Sequence, residues 1–191
     1  MSIPRSLKEA RVRAGLSLSE AAERSGLQRS NIAAVENGRR DPTASTIERM
    51  AEAARVRFIT AENDGRTTAR EASTALQSAL RDGDVKRAYR ILVQLADDLA
   101  APDATGRFLL ALEAPVAVSP EWDAAIAGVT EWRLEQALLP LPRWVDEERG
   151  DEDWSWTPQI SAASVPTRES HVPKPLRRRG VLIEAEELTS A

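Results

Sequence analysis

The side chains of this chain that could do chemistry are hydrogen-bond donors rather than nucleophiles, and they gather between Ser17 and Arg40. Read from Gly15, the stretch is GLSLSEAAERSGLQRSNIAAVENGRRDP. After a bend at Ser25-Gly26-Leu27, helical spacing from Gln28 to Asn37 turns Ile32 and Val35 inward and leaves Arg29, Ser30, Asn31, Ala33 and Ala34 facing out. Guanidinium, hydroxyl and amide groups on one short helix suit the donor and acceptor pattern of a DNA groove. Other chemistries lack parts. His171 is the single histidine and there is no cysteine, so a histidine or thiolate metal site and a Ser-His triad have nothing to build on, and His171 reads as a solvated loop residue. The acidic run Asp146, Glu147, Glu148, Asp151, Glu152 and Asp153 is consecutive rather than convergent. It reads as a solvated loop, with docking on a basic surface as the functional alternative. With no glycine-rich phosphate loop either, no enzymatic activity, cofactor or metal is expected.

Four helices must position the donors. The first is expected over 6–14, capped by Ser6 with Glu9 three residues on, its inner face Leu7, Ala10 and Ala14. The second opens at Ser17, with Glu20 completing a capping box, and Ala21 and Ala22 admit a close neighbour. Gly26 can take the left-handed conformation that ends it, and Leu27 fills the angle before the third helix. Thr43 caps a fourth helix through Ala54, with Ile47, Met50, Ala51 and Ala54 inward. Arg55 to Thr60 alternates polar with apolar, predicting a short strand whose edge could serve a dimer.

Leu7 to Val56 resembles the helix-turn-helix repressors of the Cro/C1 (XRE) family, through the small residue at Ala22, the turn glycine, Ile32, and Glu36-Asn37-Gly38 followed by Arg39, Arg40 and Pro42. The resemblance implies base-edge contacts from Arg29, Ser30 and Ala34 in double-stranded DNA. Phosphate contacts fall to Ser17, Gln28, Asn31, Asn37, Arg39 and Arg40, and Arg11 and Glu36 become a buried structural bridge. The family commonly has Gln where this chain has Leu18, and a long polar side chain where it has Ala34. Losing both lowers the affinity expected of one copy, and the resemblance implies a homodimer on an inverted-repeat operator.

A helix-turn-helix accounts for under a third of 191 residues, so a second region carries a second role. Residues 1–57 hold 11 Lys/Arg against 7 Asp/Glu, the remainder 15 against 23, so a basic reader precedes an acidic region. The expected fold is mainly α, with a five-element helix-turn-helix domain at 1–65, about four helices over 66–139 and an extended tail with little strand over 140–191. The helices are spaced at 67–81, at 84–100 behind Asp84, at 103–113, and from Ser119-Pro120 to Leu138. Beyond Leu139 the prolines forbid continuous helix, 157–175 reads as extended, and Arg177-Arg178-Arg179 precedes a short strand. Trp122 to Val145 and Leu176 to Glu184 look like the C-terminal regions of bacterial antitoxin regulators, which implies a protein toxin partner and repression of the chain's own operon. Trp144, Trp154 and Trp156 are candidate interface anchors for it. Arg177, Arg178 and Arg179 read equally as partner contacts or a solvated turn. The alternative is a phage-type or ligand-responsive repressor without a toxin. No apolar run is long enough for a membrane and no secretion signal is read at the start, so a cytoplasmic location is expected.

Overall fold

The computed structural model describes residues 3–58, 64–101, 103–148, 150, 155–160 and 167–189. It divides into two compact units, Met1–Thr60 and Ala61–Ala191. The architecture is mainly α, and among the described residues no strand forms.

Unit 1 holds α1 (Ile3–Arg13), α2 (Leu18–Ser25), α3 (Arg29–Glu36) and α4 (Ala44–Ala53). The first helix starts earlier than expected, which leaves Ser6 inside it rather than capping it. Pro4 explains the shift: its fixed φ suits a first helical turn, where its missing N–H has no partner to lose. Ala14 is exposed, while Leu7 and Ala10 are buried. The Ser17–Glu20 capping box forms as read, and Gly26 closes α2 at φ 63°. Thr43 caps α4 through the Thr46 amide. A compact core gathers Leu7, Ala21, Ile32, Val35, Met50 and Ala51, with Leu18 and Leu27 packed on its edge. Leu18, where the family that this stretch resembles commonly has Gln, packs on the edge of that core. The strand expected from Arg55 does not form over 55–58. Arg55 sits at φ 56°, donating to the Glu52 carbonyl while Val56 donates to that of Ala51, a turn that ends α4 without giving the next residues a strand partner. Residues 59 and 60 lie outside the described residues.

One ion pair ties this core together. Arg11 of α1 reaches Glu36 of α3 with two parallel bonds of 2.7 and 2.9 Å, and donates a third to the Leu16 carbonyl at 2.6 Å. The side chains are 14% and 4% exposed, so both charges have left most of their water and each depends on the other. The bond to Glu36 holds the Arg11 guanidinium's pKa above its ordinary value.

Unit 2 is built around a helix buried on every side. It comprises α5 (Ala69–Arg81), α6 (Val85–Ala100), α7 (Ala104–Leu112), α8 (Pro120–Gln136), α9 (Arg143–Glu147) and α10 (Lys174–Arg177), with single 3-10 turns at Glu169–His171 and Ala185–Leu188. Asp84 caps α6 and Asp103 caps α7, each accepting from the amide three residues on. The chain between α7 and α8 runs along α5, tied by Arg70 to the Ala114 carbonyl, by the Val116 amide to Ser73, and by Gln77 to the Ala117 carbonyl. In α8, Ala124 through Glu131 is an unbroken buried run, the pattern of a helix with no solvent face. Gly128 is what lets the C-terminal segment close on it, since a Cβ there would lie 3.0 Å from the Leu176 Cγ and 3.1 Å from its Cα.

The C-terminal tail carries little strand, as expected, and its described parts pack onto the helices of unit 2. Val172, Leu176, Val181, Ile183 and Leu188 share one core with α5–α8, Val145 is buried as well, and 140–189 is not a separate segment where it is described. The short strand expected after Arg179 reduces to an isolated parallel bridge between Trp156 and Val181. Two clasps fasten the segment. Glu131 on α8, about 1% exposed, receives Arg178 and Arg179, and Arg179 also donates to the carbonyls of Val145, Glu148 and Pro175. Nearer the end, Arg168 holds Glu184 by its backbone N–H and its guanidinium, both at 2.8 Å, and Tyr89 of α6 donates to Glu187.

Two outcomes test these clasps. Arg11→Met or Glu36→Gln alone strands the remaining charge and is expected to cost unit 1 about 3–5 kcal/mol, whereas Arg11→Met with Glu36→Leu costs much less than the sum; denaturant melts of the three proteins check this. The Glu184 carboxyl is held below its usual range, first by the Arg168 side chain and then by its amide. A depressed carboxylate stabilises fully above the unfolded value of about 4.3 and loses that contribution as pH falls through the folded one. Amide protection factors at 168–171 and 184–188, which take out the intrinsic pH dependence of exchange, should fall on acidification below that range. Glu184→Gln should exchange fast throughout; equal protection in both proteins at neutral pH would count against the clasp.

Candidate nucleic-acid interface

The surface that sequence reasoning marks for DNA is formed by the start of α3, and its geometry follows from how the turn before it is held. Gly26 leaves α2 with carbonyls that cannot continue a helix, and Arg49 of α4 answers them, donating to Ser25 O at 2.8 Å and Gly26 O at 2.7 Å. A side chain at position 26 would collide with that guanidinium, its Cβ lying 2.7 Å from Nη2. Arg49 thus fixes the angle between α2 and α3. No sequence pattern marks it, because its acceptors are backbone carbonyls more than twenty residues away.

From this bend α3 presents two faces. Ile32, Val35 and Glu36 are buried; Gln28, Arg29 and Ser30 are exposed, and Asn31, Ala33 and Ala34 are partly so. The three residues expected to read bases, Arg29, Ser30 and Ala34, therefore lie on the outward side. Arg29 makes no hydrogen bond or ion pair among the described residues, which leaves its fork available to an acceptor pair such as guanine O6 and N7. Gln28 occupies the N-cap without capping by its side chain, so no side chain of its own occupies the first N–H groups of α3, which point where an anion can take them.

The expected phosphate contacts divide by how free they are. Arg39 and Arg40 are exposed and unpaired among the described residues. Ser17 accepts from the Glu20 amide at 3.2 Å, and its side chain and its backbone N–H both hydrogen-bond the Glu20 carboxylate, so it is engaged in the capping box. Asn37 donates one amide hydrogen to the Ala33 carbonyl at 2.8 Å, closing α3 and keeping a single N–H for a partner. Asn31 buries its Oδ1 without a hydrogen-bond partner, so only its amide nitrogen can turn outward as the side chain stands. Arg11 and Glu36 form the internal bridge and are committed to each other. Sequence reasoning passed over Lys8 and Arg13. With Arg5, Glu9, Val12 and the Asn37-Gly38 turn they line an open groove of about 830 Å³, in which Arg5 is paired with Glu9 at 2.9 Å.

The candidate partner contacts in unit 2 fare differently. Trp144 donates its indole N–H to the Ala111 carbonyl at 2.9 Å, and Trp156 packs edge-on against Trp122 with ring centroids 5.0 Å apart. Both are structural. Arg178 and Arg179 are bound to Glu131, with Arg179 fully buried. Arg177 alone of that cluster is exposed with no partner among the described residues. Trp154 and the acidic residues Asp151, Glu152 and Asp153 lie outside the described residues. Their neighbours Asp146, Glu147 and Glu148 belong to α9 or its cap, with Glu147 paired to Arg143 at 2.6 Å. His171 stands 3.5 Å from Glu184 and is exposed. No cluster of metal-ligating side chains occurs among the described residues, and no described helix is long and apolar enough to cross a membrane.

Comparison with curated proteins and with solved structures returns no match. Residues 7–59 match the family model described as Helix-turn-helix. That span contains the bend, the outward face of α3 and the Arg11–Glu36 bridge, and the likeness supports a DNA-binding role in transcription regulation for unit 1.

Proposed function

We propose that the chain is a sequence-specific transcription regulator that binds an inverted-repeat operator as a homodimer. The observation that carries this reading is the unpaired Arg29 on the exposed start of α3, flanked by Ser30 and by the free cations Arg39 and Arg40. Arg29 reads a guanine, Ser30 adapts to several bases, and Ala34 can touch only a thymine methyl; the flanking cations set register on phosphate. With one long base-reading side chain per copy, two copies are needed to specify a site, and half-sites lie about one helical turn apart.

The finer reading adds a toxin partner encoded beside this chain and repression of their shared operon. It rests on the likeness of Trp122 to Val145 and Leu176 to Glu184 to antitoxin regulators. The acidic excess beyond residue 57 is in keeping with a basic partner. With Trp144, Trp156, Arg178 and Arg179 engaged internally, Arg177 and Leu138, the latter 94% exposed just past α8, are left for such docking among the described residues.

Gel shifts across an operator library test the first reading. Arg29→Ala should relax preference at one base position, costing about 1–3 kcal/mol for the preferred base, while Arg39→Ala should weaken all sequences alike and flatten the salt dependence. Unchanged binding by both variants would show that α3 is not the reader. Co-expression with the product of the adjacent gene tests the second. A stable complex that Leu138→Asp with Arg177→Glu disrupts supports the toxin reading, and two proteins that purify apart rule it out; deletion past Leu139 is unsuitable because it removes core residues.

A further inference from the structure

The groove along α1 has no part in reading bases. Base reading falls to the start of α3, whereas the groove lies by the Asn37-Gly38 turn that closes that helix. Its volume of about 830 Å³ is within the range of about 300–1,000 Å³ common to clefts that hold a ligand. Pro4, Lys8 and Val12 line it at every fourth position of α1, and Arg13 follows. At a rise of about 1.5 Å per residue that stretch is about 13 Å long, the span of about four extended residues. Such a length suits a run of polypeptide.

The charges on the groove divide into spent and free. Arg5, Lys8, Glu9, Arg13 and Glu36 line it among the described residues. Glu9 is held by Arg5 at 2.9 Å, and Glu36 by Arg11 at 2.7 Å with its own side chain 4% exposed, so both carboxylates are taken. Lys8 and Arg13 are exposed and make no ion pair or side-chain hydrogen bond among the described residues. Val12, between them in the sequence, is 59% exposed, an apolar group left to water in a concave place.

We propose that this groove docks an acidic peptide segment of a partner protein, one that carries an apolar side chain between carboxylates. The argument for that occupant is charge complementarity around an apolar centre: the carboxylates meet Lys8 and Arg13, and the side chain between them covers Val12 and Pro4. A cationic segment would meet two like charges. A DNA backbone would neutralise the cations and leave Val12 in water. The groove shares Asn37 with the phosphate contacts expected of unit 1, so the docked segment and DNA exclude each other. That exclusion rests on the regulator reading above; the docking does not.

Panning a random peptide display library on the immobilised full chain, without DNA, tests the docking, with Lys8→Glu/Arg13→Glu and Val12→Ser as comparison proteins whose folding circular dichroism confirms. Enriched peptides should place Asp or Glu on both sides of a leucine, valine or aromatic residue. Synthesised with a fluorescent label, the most enriched peptide should bind the wild type with a dissociation constant at least about tenfold lower than it shows for either variant. No enrichment, enriched peptides without carboxylates, or equal binding to the variants overturns the inference. So does a Lys8→Glu/Arg13→Glu protein that loses affinity for a mixed-sequence duplex at low salt while no peptide is enriched, which would assign the groove to DNA. The same peptide should displace that duplex from the wild type; a duplex that stays bound beside the peptide overturns the exclusion. A chain that docks the peptide and binds no duplex sinks DNA recognition and leaves the docking site standing.

Discussion

Helix α3 has eight residues, too few to hold a helical conformation in water without tertiary contacts. Its order comes from its buried side, where Ile32 and Val35 enter the core and Glu36 is gripped by Arg11. The rest of unit 1 serves that constraint. α1 supplies the arginine, α2 the bend, and α4 both the floor of the core and the Arg49 guanidinium that satisfies the carbonyls of the bend. Because every inward position of α3 is committed, its outward positions are held rigidly, and the groups on them can meet a duplex at little further entropic cost.

Unit 2 solves a different problem with the same chemistry. A helix buried all round needs neighbours on every side, and α5–α7 cannot supply them all. The C-terminal segment completes the enclosure, brought close by Gly128 and locked by Arg178 and Arg179 on Glu131. A carboxylate buried in α8 would be costly if unpaired, and two guanidiniums, one with its remaining donors on backbone carbonyls, remove that cost. Basic residues that look like a surface cluster in one dimension are here the inner lock of a domain.

Unit 1 was largely legible in the sequence. The capping box at Ser17–Glu20, the glycine bend, the inward pair Ile32 and Val35, and the Arg11–Glu36 bridge all stand where local pattern and family resemblance set them. These features depend on residues a few positions apart, or on a motif whose spacing is itself the signal. The errors lie where local pattern was ambiguous. Pro4 started α1 ahead of the Ser6 cap, and alternation over 55–58 suggested a strand for which no partner strand exists among the described residues.

The sequence by itself determined that the chain is mainly helical, that a basic helix-turn-helix precedes an acidic region, and which face of α3 carries donors, because helical period and end signals are short-range properties. Only the tertiary structure decided that Trp144, Trp156, Arg178 and Arg179 find partners within unit 2 and that Arg49 braces the bend before α3. The physical reason is one of partners: a tryptophan or arginine has the same chemistry on a surface and in a core, and which it does depends on acceptors brought to it from far along the chain.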